Sequence, residues 1–149
     1  MPDSHELDPQ ECERLLRAGV VGRVALSTPE GPHIIPVNYA VVDDTIVIRT
    51  SSYSVLGTHG RDAMLAFEVD HIDHDRQVGW SVVARGRGWA EVDPGELARI
   101  REGCQSRPWA AGNRNLHLRI RWESLTGRTL GQDWTRDNES PVRRTLSGI

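Results

Sequence analysis

Lysine is absent from the 149-residue chain; all 18 basic residues are arginine. Any bound anion must therefore be held by arginine, histidine, hydroxyls or backbone N–H groups. Against 21 acidic residues the formal charge is −3, which argues against an extended nucleic-acid surface. Cysteine is nearly absent too. Cys12 and Cys104 cannot build a disulfide framework, and neither stands in a zinc-type spacing. No apolar run approaches membrane-spanning length, and the acidic, polar start "MPDSHELDPQEC" is unlike a signal peptide. The expectation is a cytoplasmic protein with neither a nucleic-acid nor a membrane partner. Aromatics make up only 5% of the residues, yet five of them are tryptophan. Such large flat side chains line flat-ligand sites and subunit interfaces, or fill a core.

The common catalytic signatures are missing as well. There is no Gly-x-Ser-x-Gly elbow, and nothing in the sequence sets either cysteine beside a base. No phosphate-binding loop or dinucleotide fingerprint occurs; "RGRGW" (85–89) falls inside a strand, where Arg85 and Arg87 share one face, exposed or paired with acids. The cluster "DHIDHD" (70–75) offers two histidines among aspartates, but in an extended strand positions 71 and 74 point to opposite faces. A solvated hairpin tip is the better reading, and no metal site is assigned.

What is present is a short helix followed by strands. In "LDPQECERLLRAG" Asp8 is an N-cap, Pro9 suits the first turn, Glu11 completes a capping-box pattern and Gly19 can end the helix. Strands are expected at 21–28, 33–42, 45–50, 63–72, 79–92 and 115–127, with short helices at 54–62 and 93–104. The last strand alternates Leu116, Leu118 and Ile120 against His117, Arg119 and Arg121. Pro36 cannot donate to a central ladder, so the second strand should bulge or carry an open edge there. Six strands at short spacing with few helices indicate a small antiparallel barrel. A single domain over 1–130 is expected, followed by a tail (131–149) that is mobile or docked on a partner subunit.

One stretch, "RTSSYSVLG" (49–57), sets Thr50, Ser51, Ser52, Tyr53 and Ser54 in a row between a strand and a short helix. Hydroxyls and helix N-terminal N–H groups brought together in this way can cradle a phosphate.

The order of motifs around it is specific. "GRVALSTPEGPHIIPVNYAVVDDTIVIRT", then a short helix, then "LAFEVDHIDHDRQVGWSVVARGRGWAEVD" resembles the pyridoxamine 5'-phosphate oxidase-like flavoprotein family in its actinobacterial-type branch. The resemblance runs from about residue 7 to about 130. It implies a mainly β fold, a six-stranded antiparallel split β-barrel of the FMN-binding type. It further implies a homodimer with FMN, or a deazaflavin coenzyme, in two clefts at the dimer interface. By position, Ile35, Pro36, Val37 and Asn38 would lie along the isoalloxazine edge. Arg49, Thr50, Ser51, Ser52 and Ser54 would surround the ribityl phosphate. Trp80 and Ser81 match the strand that reaches the cofactor, and Trp109 and Arg114 would close the cleft from the partner subunit.

The family usually carries a lysine five residues after that threonine, where this chain has Val55. A charge-assisted phosphate contact contributes about 1.5–3 kcal/mol, or about one to two decades in affinity. Arg49, Arg61 and His59 are the nearby candidates to replace it. The resemblance implies an FMN-dependent oxidoreductase acting on a small-molecule substrate, with no catalytic side chain assigned. The alternatives are a deazaflavin-dependent reductase, a non-catalytic flavin or tetrapyrrole-binding module, and a cofactor-free member.

Overall fold

Asp8 opens the first helix. Its carboxylate accepts the Glu11 N–H at 2.8 Å, Pro9 sits in the first turn where no N–H is needed, and Gly19 stops α1 (Pro9–Ala18). The computed structural model describes residues 5–103 and 114–131. After α1 come β1 (Val21–Thr28), β2 (Gly31–Asn38), β3 (Ala40–Val42), β4 (Thr45–Thr50) and α2 (Val55–His59). Then follow β5 (Met64–Asp73), β6 (Val78–Ala90), α3 (Pro94–Gly103) and β7 (Leu116–Leu130).

The strands form one antiparallel sheet in the order β2-β1-β5-β6-β7-β4-β3. Consecutive strands β2 and β3 therefore sit at opposite edges, and the sheet curls until β2 touches β4. This is a split barrel, as expected, but with seven strands rather than six. The expected strand 33–42 divides at Tyr39. There the backbone N–H donates to Val20 O at 2.9 Å, and the hydroxyl donates to Leu16 O at 2.5 Å. The Tyr39 ring meets Phe67 edge-on at 4.6 Å. Residue 39 thus leaves the β1 ladder, and Ala40 enters the β4 ladder opposite Val47. Hydrophobicity continues through this corner, because both halves bury one face.

Alternation fills the barrel. Val24, Leu26, Ile46, Ile48, Leu65, Phe67, Val69, Val82, Ala84, Leu118 and Ile120 make one core with Cys12, Leu15 and Leu16 of α1. On β7, however, His117 and Arg119 are buried along with their apolar neighbours. At Arg119 the strand is covered on its outer face as well, by Trp89, Glu91 and Glu96 of α3. Arg119 Nε and Nη2 donate to Thr45 Oγ1 at 3.0 and 2.9 Å. Its Nη1 meets Glu91 at 3.3 Å and Glu96 at 3.0 Å, and the guanidinium stacks 5.6 Å from the Trp89 ring. Asp93 caps α3 by accepting the Glu96 N–H at 2.9 Å, and Arg99 ties the helix to Asp43 at 2.9 Å.

Among the described residues His117 has no such anion. Burial first, then the positive charges of Arg49 and Arg101, push its pKa below the usual 6.5. A histidine depressed in the fold stabilises it above the unfolded pKa, and that contribution is lost as pH falls through the folded one. Acidification from about pH 7.5 to 5.5 is therefore expected to lower Tm. His117→Gln should flatten this slope in thermal melts; an unchanged slope would assign the pH dependence elsewhere.

Candidate functional site

The hydroxyl run forms a tight turn between β4 and α2. Ser54 is the N-cap of α2: its Oγ accepts the Gly57 N–H at 2.9 Å and donates to Ser51 O at 2.8 Å. The same oxygen lies 2.7 Å from Thr50 Oγ1. Tyr53 N–H donates to Ser51 Oγ at 3.2 Å. Gly57 packs beneath the turn so closely that a Cβ there would strike the Ser51 carbonyl. Thr50, Ser51, Ser52 and Ser54 are therefore together, and much of their bonding capacity already shapes the turn.

The cations are elsewhere. Arg49 leaves β4 on the face opposite Thr50, as strand alternation demands, and its Nη2 donates to Arg114 O at 3.3 Å. Arg61 Nε donates to Gly57 O at 2.8 Å, at the far end of α2. Val55 opens α2 with its side chain partly exposed and neutral.

β2 is an edge strand, so Pro36 withholds no central bond. Its register with β1 runs unbroken from Val21↔Asn38 to Thr28↔Gly31, so the alternative of a bulge does not arise. Ile35 and Val37 pack toward the core, whereas Pro36 and Ile34 face out. On β6, Trp80 is buried in the core while Ser81 faces the outer side; only one of the two side chains can reach a given ligand. Trp80 Nε1 is buried and has no hydrogen-bond partner among the described residues. Trp109 lies outside the described residues. Arg114 is half-buried beside the β4 end.

The sequence reading assigned no role to a charged triad beside Pro36. Arg23 faces Pro36 on one side and Glu68 on the other. Its Nη1 donates to Glu68 at 3.1 Å and to Asp70 at 3.2 Å. Burial, and then the adjoining Asp70, raise the Glu68 pKa above its usual value. The cue was the spacing of Glu68 and Asp70 by two in a strand, which puts both on one face. The hairpin tip 73–76 is structural: Asp73 Oδ1 accepts the N–H groups of Asp75 and Arg76, each at 3.0 Å. Among the described residues no cluster could hold a metal. Of the tryptophans described, Trp80 fills the core, Trp89 donates to Glu91 at 3.1 Å and Trp122 lies beneath Arg17.

A curled antiparallel sheet, whose edge strand β2 meets β4, defines a split β-barrel protein. The profile of the pyridoxamine 5'-phosphate oxidase family matches residues 8–129, and the chain belongs to that family. An uncharacterized protein of Mycobacterium tuberculosis is 34% identical over 127 residues, 82% of each chain. An FAD-binding protein of Mycobacterium smegmatis superposes with TM-score 0.70 at 28% identity, over 85% of this chain and 98% of that one. A candidate pyridoxamine 5'-phosphate oxidase of Corynebacterium glutamicum does so with TM-score 0.74 at 26% identity, over 91% and 98%.

Proposed function

We propose that the protein is a homodimeric, cytoplasmic flavoprotein, binding FMN and acting as an oxidoreductase on a small-molecule substrate. The observation that carries this reading is the pairing of an open β2 edge with the Thr50–Ser54 turn in one split barrel. The similar M. smegmatis protein that binds FAD supports it. Backbone groups along Ile35–Asn38 would hold the ring edge, and Ser51, Ser52 and Ser54 would hydrogen-bond the phosphate. A bound flavin supplies hydride or electron transfer at its ring, while the chain orients it and excludes water. The residues fit the ring and the neutral part of the phosphate site; the cation is missing at Val55. Dimerisation is supported by Val21, Ile34 and Ile72, exposed apolar side chains on strands β1, β2 and β5.

Titration of the purified protein with FMN and with FAD, read by flavin absorbance and Tm, tests the reading. Binding is expected, and no response to either flavin would overturn it. Val55→Lys is expected to tighten FMN by about tenfold or more; no gain would move the phosphate away from this turn. Sedimentation showing a monomer at assay concentrations would remove the dimer.

A further inference from the structure

The outer face of the sheet carries three arginines in one patch. Arg87 on β6 lies directly opposite Arg121 on β7, and Arg85 stands two residues along β6 on the same face. All three are exposed. Like charges directly opposite in an antiparallel pair repel, so this register works against the sheet. Elsewhere Arg14, Arg17, Arg23, Arg76, Arg99 and Arg119 each meet a carboxylate. Among the described residues these three do not. Arg87 Nη1 donates to the Asp62 carbonyl at 2.6 Å.

Arg85 also forms one wall of a depression of about 310 Å³, whose floor and other walls include Ala25, Pro32, Met64 and Ala66. Apolar surface thus adjoins planar, bidentate donors whose geometry matches carboxylate and phosphate oxygens. The volume is at the lower end for small-molecule sites.

The geometry points to a second anion site: the Arg85–Arg87–Arg121 patch binds a small organic anion, a phosphate ester or carboxylate, whose apolar body fills the adjoining depression. The site is separate from the turn at residues 50–57 and does not depend on flavin binding. An anion seated there neutralises the cross-strand repulsion, and its apolar body covers Met64 and Ala66.

Phenyl phosphate, benzoate, inorganic phosphate and benzyl alcohol are suitable probes, titrated into the full chain by calorimetry with and without saturating FMN. Phenyl phosphate or benzoate is expected to bind at least about tenfold tighter than inorganic phosphate or benzyl alcohol, and the tighter of the two names the anion. Arg85→Gln and Arg121→Gln should each weaken that binding by roughly tenfold or more. Ligand-free Arg121→Gln should melt higher than the parent, because the repulsion is gone. Binding unchanged in both variants, inorganic phosphate binding equally well, or displacement of the probe by FMN would overturn the site. A lower Tm for Arg121→Gln with binding intact would do the same.

Discussion

Arg119→Ala is expected to destabilise the protein by about 3–5 kcal/mol, because it strands the buried Glu91 carboxylate rather than merely deleting a contact. Arg119 and Glu91 have side-chain exposures of 5% and 9%, so water cannot replace the lost partner. Thr45 Oγ1 loses two donors at the same time, and α3 loses its anchor through Glu96. At about 3 °C per kcal/mol for a chain of this size, Tm should drop by roughly 10 °C. The same arginine, together with Arg99, holds the Glu96 carboxyl below its usual range, and removing it should let that pKa climb back. Adding Glu91→Gln to Arg119→Ala is expected to recover part of the loss, since no uncompensated charge then remains. Urea melts of the single and double variants measure both effects. A single variant that melts like the parent would show that α3 is held by other contacts.

Phe67→Ala is expected to cost a similar amount, about 3–5 kcal/mol. The chain has one phenylalanine, and it is fully buried at the centre of the core. It pairs across strands with Val24 and Ala84, and its ring supports Tyr39 at the corner where β2 passes into β3. Gly22 makes room for it: a Cβ there would strike the Phe67 ring. Truncation therefore opens a void beside the residue that redirects the chain from one sheet edge to the other. Phe67→Leu leaves a smaller void and should lose less. Denaturant unfolding reads both; an alanine variant within about 1 kcal/mol of the parent would mean that the core collapses around the gap.

The strands of this protein were legible wherever one face is buried and the other wet. β1, with Val24 and Leu26 buried between exposed Arg23 and Ser27, shows the period-two pattern plainly. Capping chemistry placed α1 and α3, because Asp8 and Asp93 act on N–H groups three residues away. Local rules failed where two surfaces cover one strand. His117 and Arg119 read as a solvated face, yet both are buried. Residues 33–42 read as one strand because hydrophobicity carries no mark of which neighbour a strand will pair with. The place of the hydroxyl run between a strand and a short helix is legible in the sequence, but which hydroxyls are consumed by the turn depends on side-chain directions. "RGRGW" was correctly placed in a strand with both arginines on one face. That they lack acidic partners among the described residues, and that Arg87 meets a further arginine, follows from the β6–β7 register.

By itself the sequence determined the antiparallel β character, the caps of the helices, the resemblance that named the family, and the absence of a cation at position 55. These depend on residues within a few positions of one another, or on identity alone. Only the tertiary structure decided that Tyr39 divides a strand, that Arg119 is an interior ion, and that Arg87 meets Arg121 across the β6–β7 ladder while Arg85 borders an apolar depression. Each depends on strand partners and coverings distant in sequence, which packing selects and local propensity does not encode.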